Sequence, residues 1–179
     1  MKNSWFELSG FDCIWNRIKK EQKASINLQV DARAFVSFQN SHIVASGGKN
    51  QSGESSKAVE IYHIKENKWI MAPSMNLARY SHTSCILGNY VYIASVSARN
   101  MQDSVERFDM QSYLKNAGSI SWQLIIARGY DSFRPPKTVS LMAPLNDSEI
   151  IILDSFKKDQ QQNTALVFNT SKMSFKEVD

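Results

Sequence analysis

Three histidines, His42, His63 and His82, are the side chains best suited to proton transfer or metal ligation near neutral pH. They stand 21 and 19 residues apart, with no HExxH pairing. That spacing matches no local zinc-binding motif, so satisfied structural histidines are the expectation. The two cysteines, Cys13 and Cys85, lie far apart without a CxxC partner, which points to neither a disulfide framework nor a zinc ribbon. Neither a G-x-S-x-G elbow nor a G-x-G-x-x-G loop occurs. Gly48-Lys49-Asn50-Gln51-Ser52-Gly53-Glu54 begins with the spacing of a phosphate-binding loop, but Glu54 stands where the phosphate-binding lysine belongs. The carboxylates show no spacing that pairs two of them across a scissile bond. The expectation is therefore no catalytic residue, no metal and no cofactor.

The elements that would position any site repeat along the chain. Val59-Glu60-Ile61-Tyr62-His63, Val105-Glu106-Arg107-Phe108-Asp109 and Ala165-Leu166-Val167-Phe168-Asn169 share one pattern, an aromatic followed by a polar residue. Each is followed by an aromatic that opens a short apolar run, and these aromatics, Trp69, Trp122 and Phe175, are 53 residues apart. Trp15 lies 54 residues before Trp69. Upstream of each pair sits another run: Ile43 to Gly48, Val91 to Val96 and Ile150 to Ser155. The runs are short, rich in β-branched and aromatic residues, and bounded by turn formers, so they read as strands. Asn40-Ser41, Gly88-Asn89, Asn146-Asp147, Glu66-Asn67 and Ser171-Lys172 supply the hairpins. The middle unit carries a longer insert, Gln111 to Ser119. The expected units are residues 31–78, 79–133 and 134–179, preceded by an N-terminal segment, 1–30. Four strands in about fifty residues cannot bury both faces of their sheet alone, so the units must stack side by side.

Composition limits the partners. With 21 basic and 17 acidic side chains the formal charge is +4, mild for 179 residues, and nucleic acid is not implied. The densest basic cluster, Arg17, Lys19, Lys20 and Lys23, contains Glu21 and reads as a solvated face. No stretch approaches the ~18 consecutive apolar residues of a membrane span, and a reducing, cytoplasmic setting is the expectation. The Asn50, Asn146 and Asn169 acceptor triplets read as loop residues.

The ordered words resemble the Kelch repeat family: Gly47-Gly48, Val59-Glu60-Ile61-Tyr62, Trp69, Pro73-Ser74-Met75, Arg79 and His82, continuing through Tyr92 into the later units. The resemblance covers roughly residues 30–179 and departs from the family in the later units. Ser95-Val96 and Asp154-Ser155 replace the Gly-Gly pair, and Arg134-Pro135-Pro136 takes the place of the Pro-x-Met turn. It implies an all-β, Kelch-type β-propeller of about three four-stranded blades, a partial or open ring. Gly47, Gly48, Tyr62, Trp69, His82, Phe108, Trp122, Phe168 and Phe175 are its structural repeat positions. Residues 1–30 read equally as the outer strand of a preceding blade, through Trp15 or Trp5, or as a short helix through Leu8, Phe11, Ile14, Trp15 and Ile18.

The resemblance also implies a protein–protein interaction module binding through loops at one end of the propeller. It points to Lys49, Asn50, Ser97, Arg99, Asn100, Lys157 and Lys158 after the second strands, and to Arg79, Tyr80, Arg128, Tyr130 and Arg134 leading into the first strands. Its arginines suit an acidic peptide. A propeller enzyme, a carbohydrate-binding domain and a truncated repeat copy are the alternatives. Because closed propellers have about four to eight blades, three imply either membership of a longer protein or self-association, two chains completing a six-bladed ring.

Overall fold

A computed structural model of the chain describes residues 26–28, 30–95, 104–116, 120–125, 139–154 and 165–178. The N-terminal strand or helix expected within residues 1–30 lies almost wholly outside these.

Three antiparallel four-stranded sheets follow one another along the chain. Sheet 1 comprises β1 (Ala34–Phe38), β2 (His42–Ser46), β3 (Val59–His63) and β4 (Lys68–Ala72). Sheet 2 comprises β5 (Thr83–Leu87), β6 (Tyr90–Ser95), β7 (Ser104–Asp109) and β8 (Gln123–Ile125). Sheet 3 comprises β9 (Val139–Asn146), β10 (Glu149–Asp154), β11 (Ala165–Asn169) and β12 (Ser174–Val178). In each sheet the strands pair in sequence order, so every connection inside a sheet is a hairpin or simple loop. Turn chemistry sets these boundaries: Asn40, Asn67 and Gly88 adopt φ values of 51°, 50° and 59° at the hairpins that the sequence marks.

The innermost strands lie in series, β1 against β5 and β5 against β9. The sheets pack face to face, as the period of two along each strand requires. In β6, Val91 and Ile93 point into a core shared with Phe38, Val44, Val59 and Ile61 of sheet 1. The alternate residues, Tyr92 and Ala94, enter a second core with Met142, Ile150, Ile152, Leu166 and Phe168 of sheet 3. Sheet 2 is thus buried on both faces, which explains why β6 reads as a nearly continuous apolar run. Among the described residues the architecture is a partial β-propeller of three blades.

The repeated aromatics form one contact three times. Ring centroids of Tyr62 and Trp69, Phe108 and Trp122, and Phe168 and Phe175 are 5.0, 5.1 and 5.0 Å apart. The indole of Trp122 also donates to the Pro73 carbonyl, 2.9 Å, tying sheet 2 to the turn that leaves sheet 1. A short helix, α1 (Met110–Lys115), occupies part of the middle insert, where no helix was expected. Asp109 caps it by accepting from the Ser112 backbone N–H, and Met110 and Tyr113 are buried against the first core. No helix among the described residues is long and apolar enough to cross a membrane.

Candidate functional site: a rim of three loops over a buried ion pair

Three segments meet at one end of sheets 1 and 2: the approach to β1, the loop after β2 and the approach to β5. Main-chain hydrogen bonds lace them together. Lys49 N–H donates to the Asp31 carbonyl and Asp31 N–H to that of Lys49; Gly48 N–H donates to Arg79, Arg79 N–H to Ser56, and Ser81 N–H to Ala32, all within 2.8–2.9 Å. This accounts for the backbone groups that a loop would otherwise leave for water.

Glycine permits the approach. Gly47 and Gly48 have φ values of +61° and +113°. A Cβ on Gly48 would fall 2.7 Å from Val30 Cγ2 and 2.8 Å from the Asp31 oxygen, so no larger residue fits this backbone path.

Of the expected binding residues, Lys49, Asn50 and Tyr80 sit together on this rim, each half-buried. The Lys49 ammonium lies 4.6 Å from the centre of the Tyr80 ring, a cation–π contact of about 0.5–1 kcal/mol at such a site. Asn50 organises the loop beyond it: its side-chain oxygen accepts from the Glu54 backbone N–H, 2.8 Å, and its amide donates to the Glu54 carboxylate, 2.9 Å. Gln51, Ser52 and Gly53 are thereby held outward, exposed to solvent. Arg99, Asn100, Arg128, Tyr130 and Arg134 lie outside the described residues, as do Ser97, Lys157 and Lys158.

Arg79 departs from the expectation of a surface contact. Its side chain is only 3% exposed and faces Glu106, with N–O distances of 3.1 and 3.2 Å. It also donates to the Ser104 carbonyl and hydroxyl. Glu106 is fully buried and accepts three further bonds, from the Asn76 backbone and side-chain amides and the Leu77 backbone N–H. Desolvating both charges is tolerable only with such saturation of their hydrogen-bonding capacity. Arg79 therefore supports the rim from beneath.

The same device is built in sheet 1, where sequence reasoning missed it. Arg33 bonds the buried Glu60 at 2.6 Å, and the Asn27 backbone N–H donates to the same carboxylate at 2.8 Å. The signal was present: an acidic residue recurs after valine in two strands, 46 residues apart, and Arg33 and Arg79 have the same separation. Ile26-Asn27-Leu28 likewise repeats as Met75-Asn76-Leu77. Sheet 3 has Leu166 at the corresponding register position.

His82 lies under the rim, hydrogen-bonded to Ser46 Oγ at 2.8 Å. Burial, reinforced by the nearby Arg79 charge, pushes its pKa down from 6.5 to about 3. The folded protein excludes a proton that the unfolded chain accepts. The stabilising neutral form is fully present above about pH 6.5 and is lost as pH falls toward 3, with a slope approaching about 1.4 kcal/mol per pH unit. Urea midpoints measured from pH 7 to 4 are expected to fall less steeply for His82→Gln than for the wild type. Parallel curves would show that His82 protonation does not govern the acid limb.

At the opposite end, His42 Nε2 and His63 Nδ1 come within 3.2 Å, an adjacency that their spacing of 21 residues concealed. Burial, and then the neighbouring His63, lowers the His42 pKa. Among the described residues no group of three or more His, Cys, Asp or Glu side chains is arranged to hold a metal ion.

Residues 32–76 match a family model described as the Kelch motif. The match takes in the whole of sheet 1. Sheet 1 therefore carries a Kelch motif, and the two sheets that follow repeat its strand order.

Proposed function

We propose that this chain is a protein-interaction module that engages its partner through the rim formed by Lys49, Asn50 and Tyr80. The observation that carries the reading is the lacing of three loops into one surface over the buried Arg79–Glu106 pair. A preorganised surface binds without the cost of ordering its loops, and tyrosine offers large contact area with few rotatable bonds. Lys49, held over the Tyr80 ring, favours an acidic peptide segment. Arg99, Arg128 and Arg134 would add to that preference if their loops reach the same end. Buried Arg79 contributes no direct contact in this reading. A cytoplasmic setting accords with it, and catalysis has no part in it.

The test uses a displayed library of acidic peptides as the probe. Peptides selected on the wild-type protein are expected to bind the Lys49→Glu/Tyr80→Ala variant at least about tenfold more weakly, the loss of roughly 1.4 kcal/mol. Binding to Asn89→Lys, altered at the hairpin of the opposite end, should be unchanged. Selected peptides that bind all three proteins alike would remove this rim as the site.

A further inference from the structure

The end of sheet 1 opposite the rim brings two imidazoles into one place. His42 opens β2 and His63 ends β3, and the register of the two strands sets their Cα atoms opposite each other. The main chain fixes the same placement at the turns, because Ile64 N–H donates to the Ser41 carbonyl at 3.0 Å. His42 Nε2 and His63 Nδ1 are therefore held 3.2 Å apart on paired strands, their rings nearly perpendicular at 79°. Two nitrogens bound to one tetrahedral zinc ion, each at about 2.0–2.1 Å, stand about 3.3 Å from one another. The pair already has the separation of two adjacent ligands.

Hydrogen bonding decides which nitrogen of each ring carries the proton. The Ser41 hydroxyl donates to the Phe38 carbonyl, 3.3 Å, so toward His42 Nδ1, 2.8 Å away, it acts as an acceptor. His42 is thereby held as the tautomer protonated on Nδ1, with its Nε2 lone pair facing His63. An oxygen that fixes the remote nitrogen in this way is the usual support of a metal-binding histidine. His63 Nδ1–H donates to that lone pair, and His63 Nε2 is buried with no hydrogen-bond partner. No neighbour of Nε2 locks the proton on Nδ1. His63 can carry it on Nε2 instead and offer the Nδ1 lone pair to a cation, with no net release of a proton.

We propose that His42 and His63 form a two-nitrogen chelate for a borderline divalent cation of the zinc type, which clamps the β1–β2 and β3–β4 turns of sheet 1 together. Neutral imidazole suits zinc, copper and nickel, whereas magnesium and calcium prefer oxygen ligands. The Glu66 carboxylate lies 3.8 Å from His63 Nδ1 and is 66% exposed, free to swing toward a bound cation and offset its charge. Lys68, the Cα partner of His63 on β4, is exposed, and its ammonium can extend into solvent. No third ligand is in place among the described residues, so water takes the remaining positions. The site lies at the far end of sheet 1 from Lys49, Asn50 and Tyr80 and leaves that rim free.

Zinc titrated into the 179-residue chain is the probe, followed by calorimetry and by the histidine Cε1–H resonances. The wild type is expected to bind one zinc ion per chain more than His42→Ala/His63→Ala. The His42 and His63 resonances should move with that equivalent while the His82 resonance stays in place. His42→Ala and His63→Ala should each weaken this step at least about tenfold, roughly 1.4 kcal/mol. Magnesium over the same range should move neither resonance. The wild-type spectra decide the question even where a variant fails to fold. Zinc that leaves both resonances unmoved, or that binds the wild type and the double variant alike, overturns the proposal. Full affinity in either single variant reveals contact with a lone imidazole and overturns the chelate. Magnesium acting as zinc does indicates binding through oxygen ligands and overturns it equally.

Discussion

Replacing Glu106 by leucine is expected to lower the free energy of unfolding by about 3–5 kcal/mol, the usual cost of removing one member of a buried ion pair. For a chain of this size that is a fall in melting temperature of roughly 10 °C. The carboxylate is fully buried and accepts from Arg79 Nε and Nη2, from both amides of Asn76 and from the Leu77 backbone N–H. Leucine has similar bulk and no acceptor. It strips the Arg79 guanidinium of this carboxylate while Ser104 still accepts two of its N–H groups. The loss is thus one of charge and hydrogen bonding, with little change in packed volume. A second substitution separates the two contributions. In Arg79→Met/Glu106→Leu the buried positive charge is gone, and part of the stability should return. The partly buried bonds from Asn76 and Leu77 lose their acceptor as well, so the double variant should remain below wild type. Glu106→Gln, which retains an acceptor oxygen, should fall between. Leu166 occupies this register position in sheet 3, so the blade itself accommodates leucine. What fails in Glu106→Leu is the connection from sheet 1. A single variant within about 1 kcal/mol of wild type would mean that Arg79 and Asn76 find other partners and that the pair does not hold the first two blades together.

The blades were legible because their signals are local. Trp69, Trp122 and Phe175 mark the outer strand at a constant spacing, and Asn40, Asn67 and Gly88 adopt the positive φ that their residue types suggest. Each is decided within a few residues by sterics and propensity. Arg79 was hard to place because its surroundings are not local: an arginine leading into an inner strand suits a blade interface or a ligand-facing rim alike until Glu106, 27 residues later, is brought beside it. The recurrence of Arg33 with Glu60 at the same interval was the available clue, and only the knowledge that β3 is buried on both faces makes it readable. Helix α1 was obscured for the opposite reason. Its six residues are too few for hydrophobic periodicity to emerge, and its stability derives from the Asp109 cap and the burial of Met110 and Tyr113. The adjacency of Lys49 and Tyr80 followed from the family's loop positions. Their ring contact depended on the path set by Gly47 and Gly48.

That path makes Gly47→Ala the second substitution with a large expected effect, a loss of more than about 2 kcal/mol. Two costs combine. The left-handed backbone at φ +61° disfavours any Cβ by about 1–2 kcal/mol. The added carbon would also collide with the Arg79 carbonyl oxygen and fall 2.6 Å from His82 Cε1. Neither neighbour can give way cheaply. The Arg79 residue is held by the Gly48 N–H on its carbonyl and by the Ser56 carbonyl on its own N–H, and His82 is buried against Ser46. Forcing a methyl group into so tight a site adds about 1–3 kcal/mol. Gly88→Ala isolates the first cost: Gly88 has nearly the same φ, +59°, and a Cβ there meets nothing within 4 Å. The difference between the two variants in urea unfolding therefore measures the collision alone. If the two lose equal stability, the loop after β2 can move away from the approach to β5. The rim then owes its shape to something other than the close passage of these two segments.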